Sequence, residues 1–463
     1  MPCGATRPRT SRRLKMSARS VRHPANLTGL ADMLASWPDK CGDTSLARAR
    51  IADACLAYQA TAGCPVAEPA CEPAGAQIGP ASPELVARAM ASRIRYSEID
   101  DILLSSCITP GSVVVPALFA MARLRPGTEV GLVAAAASAG YAVLGFCGEL
   151  LDGASALARG QWPSRAAAAL GAAATACVLM ELDAEKCRHA LALAATFAWH
   201  GRPAEPGREI LFGWAVGAGV QCARLAASGV TGDITSLQQW PFGVDADGEA
   251  VRRAAAAAVD ENAISAARIK PLCCARQSLP AVTAALALLG DHRVRPGDIT
   301  GIDVWLPGPC RTFVDRPVPR TRLDSIASIH YQLAAALHDP AVLWDIERAE
   351  LPLIPQARAV AAMLRLHEDR ELTRTYPRRW PARILVETRT GSHDRLEPDL
   401  PEAPAEGMAT VERKIERLYQ HGSSRETTAI QMIAVCRQFS LAGDLLEVPA
   451  AIDRTCATMP PLD

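Results

Sequence analysis

The sequence predicts a mainly α protein: a large all-helical domain interrupted by a smaller α+β domain. Three observations carry this. Ala-rich apolar stretches with helix caps follow one another from about residue 43 to residue 229. Strand-like alternation shows at only two places, 302–306 and 383–388. After Pro404 the helical pattern returns. The predicted organisation is a basic arm at 1–25, a first helical segment at 26–268, the α+β domain at 269–404 and a second helical segment at 405–463.

Composition bounds the rest. The chain has 463 residues, enough for two or three domains, and half of them are hydrophobic. Lys plus Arg equals Asp plus Glu, 49 each, so net charge argues for neither nucleic acid nor a membrane surface. The 15 cysteines are odd in number and form no Cys-x-x-Cys pair. They read as small buried apolar residues in a reducing compartment, not as a disulfide or metal scaffold. Adjacent Cys273 and Cys274 carry no redox motif. The first 25 residues hold seven Arg or Lys and no acid, without the apolar core of a secretory signal. They suit a disordered arm or an over-long start, and would suit a mitochondrial presequence. The expectation is therefore a cytoplasmic protein, with the mitochondrial matrix as the alternative.

The elements follow in order. Asp43-Thr44-Ser45 can cap a helix through Ala60, with Ile51, Ala54, Cys55 and Tyr58 on one stripe. Residues 63–79 form a Pro/Ala/Gly loop. Ser82-Pro83-Glu84 is an N-cap with Pro at the first helical position. Helices are expected at 113–122, 130–150, 164–182, 184–197 (capped by Asp183), 212–227, 278–289, 329–337, 409–419 and 427–439. The stretch 130–147 is uncharged and near the minimum for a membrane span, but Ala and Gly dominate it, which favours a buried core helix. Gly213-x-x-x-Gly217 and Ala167-x-x-x-Gly171 predict closely packed helix axes.

The segment richest in chemistry is Glu98-Ile99-Asp100-Asp101, a short loop, then Thr109-Pro110-Gly111 opening a helix. A helix N-terminus offers unpaired N–H groups to a carboxylate. This segment resembles the Asp-x-Asp-Asp…His-Pro-Gly pattern of the MmgE/PrpD family, which includes 2-methylcitrate dehydratases, cis-aconitate decarboxylases and iminodisuccinate epimerases. Further fragments resemble it in order over about residues 43–440. Gly160-Gln161-Trp162-Pro163-Ser164 is similar to Gly-Trp-His-Pro-Thr. The stretch from Arg208 to Gly213 is similar to Lys-x-x-His-x-Gly. Ile269-Lys270-Pro271 through Arg276 is similar to Phe-Lys-Pro-Tyr-x-Cys-x-Arg, and Ser328-Ile329-His330-Tyr331 to Ser-Leu-x-Tyr.

The resemblance implies a helical domain closed by the C-terminal segment, a smaller lid domain, a homodimer, no cofactor and no metal. It also implies a lyase that moves a proton next to a carboxylate of a small carboxylic acid. Lys270, Tyr331 and Glu98 then become candidates for proton transfer. Arg208 and Arg276 become candidates for bidentate carboxylate binding, and Thr109, Trp162 and Ser164 for substrate contact. Thr109 and Trp162 stand where the family has histidines, which points away from ordinary 2-methylcitrate or cis-aconitate chemistry. An isomerase, epimerase or cyclase, or a non-catalytic ligand-binding paralogue, are the alternatives. Each candidate also has a bland reading: a solvated lysine, a structural arginine pair, a buried tyrosine, or capping by Asp100 or Asp101. His200 and His330 are weaker candidates for a replacement base.

Overall fold

The computed structural model describes residues 27–39, 43–61, 82–125, 127–198, 207–240, 259–291, 294–346, 355–398 and 407–419. The basic arm, the 63–79 loop, His200 and the helix expected at 427–439 lie outside the described residues.

The helical part contains α1 (Leu27–Ala35), α2 (Thr44–Gln59), α3 (Pro83–Ser97), α4 (Gly111–Ala122), α5 (Val130–Leu151), α6 (Gly153–Ala158), α7 (Pro163–Leu179), α8 (Ala184–Ala195), α9 (Arg208–Ala227), α10 (Thr235–Gln239) and α11 (Ala263–Ala266). Local chemistry sets the starts. Asp43 Oδ1 accepts from the N–H groups of Ser45 (2.9 Å) and Leu46 (3.1 Å). Ser82 and Asp183 cap α3 and α8 in the same way.

The apolar stretch that becomes α5 is largely buried inside this bundle, against α7 and α4. Small residues make the crossings possible. A Cβ on Gly140 of α5 would lie 2.2 Å from Thr175 Oγ1, and one on Gly219 of α9 would lie 2.2 Å from the backbone oxygen of Ala169. Where α9 crosses α3, a Cβ on Gly213 would lie 2.3 Å from the Arg88 backbone oxygen. That atom cannot swing aside as a side chain would. Gly213→Ala is therefore expected to lower stability by about 1–3 kcal/mol, read as a fall in the urea midpoint. An unchanged midpoint would mean that the crossing is looser than drawn.

The smaller part follows as α12 (Leu279–Gly290), β1 (Ile299–Leu306), α13 (Gly308–Val314), α14 (Arg322–Ala327), α15 (Ile329–His338), α16 (Pro355–Ala362), β2 (Leu364–Glu368), α17 (Arg370–Thr375), β3 (Ala382–Thr388) and β4 (Gly391–Glu397). The sheet order is β2-β1-β3-β4, with β1 parallel to β2 and the remaining pairs antiparallel. Ile302, Val304 and Leu306 of β1 are buried with Ile384 and Val386 of β3 in an apolar cluster shared with α12 and α15. The outward face is polar: Asp303 binds Arg365 and His367, and Trp305 stacks on His367. Sequence patterning finds β1 and β3 but not β2 or β4. Both missed strands are short edges rich in charge, as edges that resist pairing must be.

The last helix among the described residues, α18 (Met408–Tyr419), returns to the first part and packs on α2. Its Lys414 is buried, with Nζ 2.5 Å from Asp53 Oδ1 and 2.5 Å from the backbone oxygen of Ile99. A segment some three hundred residues downstream thus buttresses the residue next to Glu98.

Candidate active site

A cavity of about 480 Å³ opens between the helical part and the smaller part. That is within the usual range of small-molecule pockets, roughly 300–1,000 Å³. The helical side contributes Arg95, Glu98, Thr109, Trp162, Ser164 and Arg208. Lys270 and Arg276 come from the connecting stretch, and Asp315, Arg316 and Tyr376 from the smaller part. Among these described lining residues are five cationic side chains and two carboxylates. The wall therefore favours an anionic occupant.

The backbone explains why Lys270 meets Glu98. Ile102 and Arg268 exchange both backbone hydrogen bonds, at 2.9 and 2.8 Å. Arg50 of α2 donates to the carbonyls of Ile264 and Ala267, and Cys273 Sγ donates to the Ser97 carbonyl at 3.3 Å. The stretch carrying Lys270 is thereby pinned along the acidic segment.

Glu98 ends α3 in the left-handed region (φ 57°), an uncommon place for a non-glycine residue that costs about 1 kcal/mol or more. From there its carboxylate meets three cations: Arg95, Arg208 and, at 3.4 Å, Lys270 Nζ. Burial by itself would raise the Glu98 carboxyl. The charges of Arg95, Lys270 and Arg208 outweigh it and hold the group well below the ordinary carboxylate range. A carboxylate so stabilised accepts a proton poorly. Glu98, expected from sequence as a proton-transfer group, lines the cavity with its carboxylate engaged by these three cations.

Asp100 and Asp101 are occupied within the protein. Asp100 pairs with Arg95. Asp101 Oδ1 accepts from Gly111 N (2.7 Å) and its Oδ2 from Tyr141 Oη (2.6 Å). The first N–H of α4, expected to face a substrate carboxylate, is thus capped by the chain's own carboxylate. Burial pushes Asp101 up to about 6, against the lowering effects of Arg50 and its two hydrogen bonds. A folded value above the ordinary 3.8 gives stability that is full at low pH and lost as pH rises through about 6. Asp101→Asn, which does not titrate, is expected to remove about 3 kcal/mol of this pH dependence between about pH 4 and 6. Parallel stability-versus-pH curves for the two proteins would contradict it.

Beside this cap lies a hydroxyl cluster. Thr109 N donates to Ser164 Oγ (3.1 Å), and Thr109 Oγ1 lies 3.3 Å from Ser164 Oγ and 3.2 Å from Ser112 Oγ. Ser164 stands in the first turn of α7, which begins at Pro163. Trp162, just ahead of it, stacks on Phe212 (5.3 Å between ring centroids) and lies under the guanidinium of Arg208 (4.6 Å). The indole therefore acts as a platform for the arginine cluster and leaves the cavity open.

Seven of the eight site residues expected from sequence meet at this cavity: Lys270, Glu98, Arg208, Arg276, Thr109, Trp162 and Ser164. Tyr331 is not on its wall. Ser328 caps α15 by accepting from Tyr331 N (3.1 Å), and the phenol is buried in the apolar cluster of the smaller part. The tyrosine that lines the cavity is Tyr376. Sequence reasoning also missed Arg95, Asp315 and Arg316. Arg95 precedes Glu98 by one helical turn, a spacing that signals a pair. The other two, like Tyr376, sit in loops without a local signal.

Among the described residues no group of three His, Cys, Asp or Glu side chains is arranged to hold a metal ion. A comparison with curated proteins returned no match. The family model described as the MmgE/PrpD N-terminal domain matches residues 45–246, and that of the MmgE/PrpD C-terminal domain matches residues 272–438. With both models in order over most of its length, this chain belongs to the MmgE/PrpD family.

Proposed function

We propose that the chain is a lyase that removes a proton next to a carboxylate of a small di- or tricarboxylic acid. The carrying observation is the convergence of Lys270, Arg208 and Arg276 with the Thr109–Ser164 hydroxyls on one open cavity. Family membership supports the reading, since the family includes dehydratases and related enzymes. In it, the cations neutralise the substrate carboxylates. As the α-proton leaves, the C–H electron pair is delocalised onto the adjacent carboxylate, whose added charge the same cations stabilise more strongly than the ground state. Trp162, Leu157, Phe313 and Ile326 make part of the wall apolar. That favours an acid with an aliphatic portion over a fully polar one such as citrate.

The test is turnover of a panel of hydroxylated di- and tricarboxylates with growing alkyl substituents. Loss of water is read as the ultraviolet absorbance of a new conjugated double bond, and loss of CO₂ by headspace analysis. Activity rising with alkyl length supports the reading. Proton exchange without loss of mass would place the chain with the isomerases. Tight binding without exchange or loss would make it a ligand-binding relative.

A further inference from the structure

We infer that Asp315 is the group that takes the substrate proton and that His330 positions it. The inference rests on the proposed lyase reading and names the base that reading lacks. Two carboxylates line the cavity among the described residues, Glu98 and Asp315. Glu98 is committed to three cations. Asp315 faces the cavity from the opposite, smaller part, with its side chain 38 % exposed.

The surroundings of Asp315 are built. It follows the last residue of α13. Its Oδ1 lies 3.1 Å from Nε2 of His330, which is buried on α15. The other ring nitrogen, Nδ1, faces the carbonyl of Ala361 in α16 at 3.5 Å. A neutral imidazole carries one proton and cannot donate to both oxygens. With Nε2–H donating to Asp315 Oδ1, the buried imidazole orients the carboxylate toward the cavity, as a histidine–carboxylate pair does in other acid–base sites. The loop is fixed on both sides. Ser328 Oγ donates to the Arg316 carbonyl (2.6 Å), and Arg316 Nη1 pairs with Asp324 (2.9 Å). The second oxygen of Asp315 pairs with Arg311 at 3.7 Å, a long and solvent-exposed contact compared with the buried cations around Glu98.

The step balances. The substrate C–H bond breaks and an O–H bond forms on Asp315. The electron pair stays on the carbon and its adjacent carboxylate. In D₂O the dyad exchanges its proton with solvent and returns a deuteron to the carbon.

The test uses the full chain and the acid that the wild type turns over or exchanges best. Asp315→Asn is expected to lower deuterium incorporation by about 10²–10⁴-fold while binding of that acid, measured by calorimetry, stays within a few-fold. Asp315→Glu is expected to recover part of the rate. His330→Gln, which can still donate one hydrogen bond, is expected to lower kcat with little change in KM and to shift the pH profile of kcat. A purely structural histidine would give neither effect. Wild-type exchange in a folded Asp315→Asn protein would overturn the assignment and leave the lyase reading standing. Absence of exchange in the wild type itself, with every acid, would remove the lyase reading and this assignment with it.

Discussion

Replacing Lys270 with methionine is expected to abolish turnover to within about 1% of the wild-type rate, while the protein remains folded. Methionine keeps the apolar stem of lysine as far as Cε but lacks the ammonium and its charge. Lys270 is nearly fully buried and lies 3.4 Å from Glu98 on the cavity wall. In this dry setting, removing a cation aimed at developing negative charge costs about 10²–10³-fold in rate, by analogy with the loss of one oxyanion donor. The measurement is kcat/KM on the preferred acid, with far-UV circular dichroism as the fold control. A larger fall in kcat than in substrate affinity would place Lys270 in transition-state stabilisation. Full activity in the folded variant would remove it from the site.

Glu98→Leu is expected to produce the largest stability loss of any single change at the site, about 3–5 kcal/mol. The cause is not a lost contact but a stranded charge. Arg95, Arg208 and Lys270 surround the Glu98 carboxylate, and its removal leaves these buried or half-buried cations facing one another. The pH dependence has a definite sign. A carboxyl held below its ordinary value stabilises the fold above about pH 4.5 and loses that contribution as pH falls through its folded value. The difference between wild type and Glu98→Leu in urea denaturation is therefore expected to be full at neutral pH and to shrink only in strong acid. Asp101 contributes in the opposite direction, so the two variants separate the acidic limb of the stability curve into a rising and a falling part. A Glu98→Leu protein as stable as the wild type would mean that the cations are solvated instead.

The parts legible in the sequence were those decided by near neighbours. Asp43, Ser82 and Asp183 each cap a helix whose first turn begins immediately after them, and the structure starts those helices there. Pro83 and Pro163 mark first turns for the same reason. The boundaries that drifted lie at C-termini: α7 ends at Leu179, where residues through 182 were expected, because the chain turns at Glu181 with φ 53° and no glycine announces it. The edge strands β2 and β4 were illegible because their residues are chosen to discourage pairing, not to advertise it.

The site divides along the same line. Lys270, Arg208 and Glu98 come together from three distant segments, and no local pattern predicts that. The ordered resemblance to one family supplied it. Tyr331 followed from the same resemblance but lies in the apolar cluster of the smaller part, on a helix whose residues 329–337 are all buried. Asp315 could not be read from sequence at all. Its partner His330 is 15 residues away on α15, with the short helix α14 and its flanking turns between them. The buttress from Lys414 to Asp53 and Ile99 is longer still, and it links the last described helix to the segment that carries Glu98.

The most direct test of the account is solvent-deuterium incorporation at the carbon next to the substrate carboxylate. Wild-type protein and Lys270→Met are incubated in D₂O with alkyl-substituted di- and tricarboxylates and read by mass spectrometry. The account predicts a gain of one mass unit in recovered acid or product with the wild type, reduced about 100-fold or more in Lys270→Met. Incorporation at equal rates in both proteins, or no incorporation from a folded wild type with acids that calorimetry shows to bind, would contradict it.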